Sequence, residues 1–96
     1  MRIGVIATLT VQPGKNDEFE AAFSNLAKQV LANEAGCLLY SLHRSKSNTQ
    51  VYKVLEQYQS AEDLKLHGKT DYFLAAQGSL GPLLAAAPEI EVLDAV

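Results

Sequence analysis

The ten residues after Met1 alternate between one consistently apolar face and one mixed face. The apolar face of this segment, Arg2–Val11, consists of Ile3, Val5, Ala7, Leu9 and Val11. Because side chains of a β-strand point alternately to opposite faces, the pattern predicts a strand. Pro13-Gly14 then supplies a turn, and helical spacing follows directly. A strand that passes straight into an amphipathic helix restricts the chain to folds in which helices cover a sheet.

The helix is predicted from Asn16, which is suited to cap it, as far as the segment Glu34–Gly36. Its apolar stripe recurs every three or four residues and consists of Phe19, Phe23, Leu26 and Val30. Glycine has no Cβ to oppose left-handed backbone, so we expect Gly36 to end the helix with a positive φ.

Two further strands are predicted at Cys37–Arg44 and Val51–Tyr58, on either side of a polar turn that favours a hairpin. In the first of them Leu38, Tyr40 and Leu42 should share one face.

Helical spacing returns after the hairpin, in two pieces. Ser60 is a suitable N-cap for a short helix that ends at His67, because Asp63 follows three residues later. A second helix is expected from Thr70, and a final strand over Glu89–Ala95.

The resulting order is β-α-β-β-α-β with the second helical segment split. It predicts an α+β fold, a ferredoxin-like sandwich in which an antiparallel four-stranded sheet carries helices on one face. We expect residues 1–96 to form a single domain. Several strands keep apolar residues on both faces, so the uncovered face predicts a homodimer through the sheet.

Composition excludes several classes of function. A hydrophobic content of 48% argues against disorder, and a net charge of -3 argues against nucleic acid or an anionic membrane surface as partner. No apolar run has the roughly 20 residues that span a bilayer. No secretory signal is recognised, so we expect a cytoplasmic location. The single cysteine, Cys37, is expected to be buried, and no cluster has metal-ligand spacing.

One stretch concentrates the chemistry. Glu56 and Tyr58 share a face of the predicted strand with Tyr52 and Val54, and His67 lies on the apolar stripe of the short helix that follows. The imidazole is thus brought toward a carboxylate and two phenols. This arrangement indicates a small pocket, although a core histidine bonded to a backbone carbonyl would have the same spacing.

The chain resembles the antibiotic biosynthesis monooxygenase (ABM) family over nearly its whole length. The residues that carry the resemblance are Val11-Gln12-Pro13-Gly14-Lys15, Glu34-Ala35-Gly36-Cys37-Leu38-Leu39-Tyr40, Glu56-Gln57-Tyr58, His67 with Phe73, and Leu83-Leu84 with 88–93. The resemblance implies a dimeric α/β-barrel made of two ferredoxin-like subunits.

The resemblance also implies an activity: members that act on quinols oxidise them with molecular oxygen, without metal, haem or flavin. His67 would then be the base that deprotonates a small aromatic substrate, and Glu56 would orient it. Tyr58 and Tyr72 would complete the catalytic set. Tyr40 and Phe73 would contact the substrate.

Two departures from the family pattern fall in this set, since members commonly carry Trp at position 58 and His at position 72. The haem-degrading branch has a His near position 77 and an Asn near position 7, where this chain has Gln77 and Ala7. Two other functions stay open: a non-catalytic dimer that binds a small ligand or serves a stress response, and an isomerase of a small dicarbonyl.

Overall fold

The computed structural model describes residues 1–96, which form one four-stranded sheet with helices on one face. The strands are β1 (Ile3–Thr10), β2 (Cys37–Arg44), β3 (Val51–Tyr58) and β4 (Glu89–Asp94), and the helices are α1 (Asn16–Asn33), α2 (Ala61–His67) and α3 (Asp71–Leu80). A 3₁₀ turn, Gly81–Leu83, follows α3. The predicted ferredoxin-like order and the split second helix are confirmed.

The sheet order is β2-β3-β1-β4, and every neighbouring pair is antiparallel. The register aligns residues in rows across the four strands. One row runs through Tyr40, Glu56, Val5 and Val92, and its side chains lie on the helix-covered face. Here this side is called the inner face. The next row on it is Leu42, Val54, Ala7 and Ile90.

A β-bulge at the start of β2 corrects one prediction. Cys37 pairs with Tyr58, but Leu39 pairs with Gln57, so one extra residue lies between them. Leu38 is therefore 42% exposed rather than on the face of Tyr40, which is buried. A bulge shifts the alternation by one residue.

Helix α1 provides much of the core through Phe19, Phe23, Leu26 and Val30, as its spacing predicts. Its start differs from the prediction, because Lys15 occupies the N-cap and no side chain caps the helix. The Asn16 side-chain amide instead donates hydrogen bonds to the Thr49 carbonyl at 2.7 Å and to the Tyr52 hydroxyl at 2.9 Å. A tertiary contact has thus taken the place of a local cap.

The role predicted for Gly36 is also different. Gly14 is the only residue with a positive φ, at 80°, so Gly36 does not need left-handed backbone. A Cβ on Gly36 would lie 2.3 Å from Cγ of Asp63. Asp63 accepts a hydrogen bond from Ser60 at 2.8 Å and belongs to the predicted cap of α2. The glycine is required because the start of α2 lies directly against this point.

The outer face of the sheet is free of helices and combines apolar and charged residues. Its rows are Leu39-Gln57-Gly4-Leu93, Ser41-Leu55-Ile6-Glu91 and His43-Lys53-Thr8-Glu89. Leu39 and Leu93 are 43% and 40% exposed. None of the helices combines the length and the apolar composition needed to cross a bilayer.

Candidate active site

A cavity of about 530 Å³ lies between the inner face of the sheet and the three helices. The sheet contributes Val5, Ala7, Tyr40, Val54 and Glu56 to its floor, and the helices contribute Phe19, Phe23, Leu26, Leu64, His67, Phe73, Gln77 and Leu80. Gly81, Pro88 and Ile90 line it as well and are exposed, so they mark its mouth. This size is typical of a small-molecule site.

The cavity wall is mostly apolar. Thirteen of its nineteen residues are hydrophobic, and neither lysine nor arginine is among them. The only carboxyl group that lines it is that of Glu56, and the only imidazole is that of His67. Its polar side chains are therefore few, as in sites that hold an apolar ligand by one or two directed contacts.

His67 is the one buried polar residue of the chain, with 4% of its surface exposed. Three aromatic rings surround its imidazole. The ring centre of Phe73 lies 4.7 Å away, that of Tyr40 5.2 Å and that of Tyr58 5.4 Å. These contacts fix the plane of the imidazole, because a turn of the ring would displace its neighbours.

A carboxylate from another helix holds one nitrogen of this imidazole. Nδ1 of His67 lies 3.0 Å from Oε1 and 3.2 Å from Oε2 of Glu34, the C-cap residue of α1. The Tyr72 hydroxyl donates a short hydrogen bond to Oε2 of the same carboxylate. Burial, together with this bond to Glu34, raises the pKa of Tyr72 to about 12, so its phenol keeps its proton at neutral pH.

The contact with Glu34 determines which nitrogen of His67 can act as a base. A carboxylate only accepts hydrogen bonds, so Nδ1 carries the proton in the neutral ring. Nε2 then has the free electron pair, and it has no hydrogen-bond partner within the protein although His67 lines the cavity. The arrangement is that of a base oriented by a carboxylate, which also stabilises the imidazolium once it forms.

The structure differs from the predicted pairing of Glu56 with His67. Oε1 of Glu56 accepts a hydrogen bond from the Tyr58 hydroxyl at 2.6 Å, two residues along the same strand. Glu34 takes the orienting position instead. In the sequence, Glu34 marks the end of α1 and begins a segment that resembles the family, and no local pattern relates it to a histidine 33 residues later. The one available signal is that a carboxylate at a helix C-terminus is opposed by the helix dipole, which points to a tertiary partner.

The six predicted site residues are only partly brought together. His67, Glu56, Tyr40 and Phe73 line the cavity. Tyr58 and Tyr72 do not, and each holds a carboxylate: Tyr58 that of Glu56, and Tyr72 that of Glu34. Tyr72 and Glu34 line a separate, more polar groove on the other side of α2. The hydroxyls of Tyr58 and Tyr72 are thus bonded to the two acids, and the catalytic role predicted for these tyrosines stays a prediction.

Tyr40 is the phenol that remains available. Its ring is stacked on Phe23, with centres 5.5 Å apart and planes 8° from parallel, and its hydroxyl has no hydrogen-bond partner within the protein. Burial and the carboxylate of Glu56 raise the pKa of Tyr40 above its usual range. The hydroxyl is thus a neutral donor for an oxygen atom in the cavity.

Glu56 is the least ordinary ionisable group here. Burial raises its pKa from 4.5 to about 7, and the hydrogen bond from Tyr58 limits this rise. Near neutral pH, comparable fractions of the protein therefore hold Glu56 as an acid and as an anion. No three His, Cys, Asp or Glu side chains cluster as a metal site would require.

Fold and cavity together define a class of small ferredoxin-like α+β protein with an apolar pocket and an oriented histidine. The model of the antibiotic biosynthesis monooxygenase family matches residues 2–79. The chain belongs to this family.

Solved structures agree with this assignment. A candidate antibiotic biosynthesis monooxygenase from Caulobacter crescentus is 60% identical, with a TM-score of 0.97 over 99% of this chain and 90% of that one. A conserved protein from Methanosarcina mazei is 27% identical, with a TM-score of 0.92 over 97% and 91% of the two chains. A structure from Nitrosomonas europaea, 17% identical with a TM-score of 0.95 over 99% and 90%, shows the shared fold alone. Among curated proteins none matches the chain.

Proposed function

We propose that this protein is a monooxygenase that oxidises a small aromatic quinol or polyphenol with molecular oxygen and needs no cofactor for it. One observation supports this most. His67 lines an apolar cavity with Nε2 unpaired, while Glu34 holds Nδ1 at 3.0 Å. A base in that state is suited to take a proton from an acidic hydroxyl group.

The first step follows from this geometry. The substrate hydroxyl transfers its proton to Nε2 of His67, and Glu34 stabilises the resulting imidazolium through Nδ1. The quinol anion is rich in electrons, so it transfers one electron to oxygen and combines with the superoxide that forms. The apolar wall favours this sequence, because it keeps water away from the reactive pair.

The cavity also limits the substrate. Tyr40 offers a hydroxyl for a quinol oxygen, and Phe73 and Phe23 offer ring faces for an aromatic plane. With neither lysine nor arginine in its wall, the cavity has no cation for a phosphate group. This counts against the alternative of an isomerase acting on a phosphorylated dicarbonyl.

A homodimer through the outer face is part of the proposal. A two-fold axis along the strands, between β3 and β1, would place β4 of one copy over β2 of the other. Leu39 would then meet the partner's Leu93, Leu55 the partner's Ile6, and His43 the partner's Glu89. Apolar rows would face each other and an imidazole would meet a carboxylate, at the tilt of about 30° common for stacked sheets. A cytoplasmic location suits an enzyme that needs only oxygen and a diffusible quinol.

Oxygen consumption with a panel of quinols, with and without a chelator, tests the activity. We expect uptake that depends on the enzyme and is unchanged by chelation, with hydroxylated quinone as the product. Saturable binding of a quinol without oxygen uptake would support the non-catalytic binder instead. Turnover that stops on chelation would contradict a cofactor-independent reaction.

A further inference from the structure

Glu56 lines the cavity but does not orient His67, so its position there has another explanation. It lies in the centre of the inner face, between Tyr40 on β2 and Val5 on β1. One of its oxygens accepts the Tyr58 hydroxyl at 2.6 Å, and the other has no hydrogen-bond partner within the protein. A half-buried carboxyl group in an apolar wall is costly unless it meets a partner, and here the free oxygen is left to whatever occupies the cavity.

Glu56 and His67 line the same cavity, so a molecule bound there would lie close to both. The Tyr58 ring lies against the imidazole, with centres 5.4 Å apart, and its hydroxyl carries the bond to Glu56. The Tyr40 ring contacts the imidazole from the adjacent strand, at 5.2 Å, and is the cross-strand partner of Glu56. Both proton-transferring groups therefore belong to one wall of the cavity.

The proposed reaction needs two such groups at the same moment. After the quinol anion combines with oxygen, the imidazolium of His67 returns its proton to the peroxide anion, so His67 is neutral again and a ring carbon carries both a hydrogen and a hydroperoxide. Collapse to the carbonyl breaks the C–H bond and the O–O bond together: the C–H electron pair forms the C=O bond, and hydroxide leaves. A base must accept the ring proton while an acid protonates the leaving hydroxide to water. Quinol and oxygen thus give hydroxyquinone and water, with no other reactant.

We propose that Glu56, as a carboxylic acid, protonates the leaving hydroxide while His67 accepts the ring proton. This inference rests on the proposed function and assigns Glu56 a catalytic role distinct from that of Glu34, which positions His67. The proton then returns from His67 to Glu56 within the cavity, so the next cycle starts with an acid and a base again. Tyr58 is the positioning residue that directs the carboxyl group.

Burial favours the protonated state that this role requires, since it raises the pKa of Glu56 to about 7. The ionisable groups around Glu56 are Tyr58 on its own strand, Tyr40 and Cys37 on β2, His67 on α2 and Glu34 at the end of α1. Strand β1 contributes only Val5 beside it. Glu34 raises the pKa of Glu56 further through charge repulsion.

Glu56→Gln tests the assignment, because it keeps the size of the side chain and removes the proton. Without an acid, the hydroperoxide should lose hydroperoxide ion instead of hydroxide, giving quinone and hydrogen peroxide. Adding catalase measures this branch, since catalase returns half of the oxygen taken up. At pH 6, where Glu56 keeps its proton, we expect little effect of catalase on wild type and nearly half the oxygen returned with Glu56→Gln, with hydroxyquinone formation reduced about 10²-fold.

Glu20→Gln is the matched control. Glu20 accepts a hydrogen bond from a tyrosine, Tyr52, at 2.5 Å but does not line the cavity, so this variant should behave as wild type. Wild type alone provides a second measurement that does not depend on a variant folding. Its peroxide fraction should rise as the pH increases through about 7 and Glu56 ionises.

The outcomes separate the two proposals. A wild type that consumes oxygen, with Glu56→Gln forming hydroxyquinone at the same rate and without peroxide, would overturn the role of Glu56 and leave the monooxygenase intact. A peroxide fraction independent of pH would also contradict this role. A wild type that consumes no oxygen with any quinol would overturn both proposals.

Discussion

Nδ1 of His67 lies 3.0 Å from Oε1 of Glu34, although the two residues belong to different helices. The helix dipole of α1 disfavours a carboxylate at its C-terminal end, and only 12% of the Glu34 side chain is exposed. Two donors, His67 and Tyr72, compensate for this position. The hydrogen bond to Glu34 also holds the imidazole of His67 in one tautomer and one orientation.

Replacing Glu34 should therefore lower the catalytic rate more than it lowers the stability of the fold. In Glu34→Gln the amide can still accept the Nδ1 proton, but it no longer stabilises the imidazolium, so we expect kcat for quinol oxidation to fall about 10²-fold. Tyr72→Phe is the control, since it keeps the carboxylate and removes only the second donor. The ¹⁵N chemical shifts of His67 should change in Glu34→Gln and stay close to wild type in Tyr72→Phe. Unchanged ¹⁵N chemical shifts of His67 and an unchanged kcat in Glu34→Gln would show that Glu34 does not orient His67.

His67→Ala tests the base itself. We expect quinol turnover to fall by about 10²- to 10⁴-fold, the usual contribution of general-base catalysis. The second histidine provides the control, because His43 lies on the exposed outer face and bonds Ser41 there. His43→Ala should retain wild-type turnover. Equal rates for His67→Ala and the parent protein would show that another group takes the proton.

Glu56 should make stability depend on pH. Its pKa is raised from 4.5 to about 7 by burial, so the folded protein binds the proton more tightly than the unfolded chain does. Stability from this group is thus fully present below pH 4.5 and is lost as the pH rises through 7. Allowing for solvent near the carboxyl group, we expect Glu56→Gln to be more stabilising at pH 8 than at pH 5 by about 2 kcal/mol. Urea unfolding at both pH values measures this difference, and a difference of zero would mean that Glu56 ionises normally.

Gly36 should not tolerate a side chain. In Gly36→Ala the new methyl group would overlap Asp63, and moving that residue would disrupt the Ser60 cap of α2, so we expect a loss of about 1–3 kcal/mol. Gly78→Ala is the opposite case, since a methyl group there meets nothing within 4 Å and α3 should gain up to about 1 kcal/mol. Thermal unfolding of the two variants should show shifts of opposite sign. An unchanged unfolding temperature for Gly36→Ala would mean that the start of α2 can move away from residue 36 without loss of stability.

The homodimer can be tested on the outer face. Leu55 lies in the middle of that face, so Leu55→Lys would bury an unpaired charge against the partner's Ile6 and should give a monomer in light scattering. Leu31→Lys changes a leucine that is 55% exposed on α1, away from the sheet, and should leave the mass unchanged. A wild type that is monomeric at micromolar concentration would contradict the dimer outright.

Most of the fold was predictable because strand and helix periods alternate clearly along the chain. Residues 37–44 and 51–58 form the predicted strands, with the alternation interrupted only at the bulge, and Ser60 caps α2 through the amide of Asp63. Local sequence patterns gave the wrong contact where a residue distant along the chain replaces the local hydrogen-bond partner. Asn16 bonds to Thr49 and Tyr52 instead of capping α1, because those partners are near only after the strands have paired.

In the candidate site, too, local periodicity predicts the position of a residue but not its partner. The stripe that turns His67 inward and the alternation that places Glu56 on the inner face are both readable from sequence. The partners of these two residues are not. The spacing of two residues along β3 does not show that the Tyr58 hydroxyl donates a hydrogen bond to Glu56. No sequence pattern predicts the contact between Glu34 and His67.

The extra residue in β2 has a consequence for comparing this chain with other sequences. Because Leu38 is accommodated in the bulge, Tyr40 lies opposite Glu56; without the bulge, the same tyrosine would lie opposite Leu55 and point away from the helices. A homologue that lacks this one residue would pair the two strands without a bulge and would still place its tyrosine opposite the glutamate. Aligned without a gap, the same tyrosine would be assigned to the outer face, so alignments of this segment should place the gap at the bulge before identities are compared.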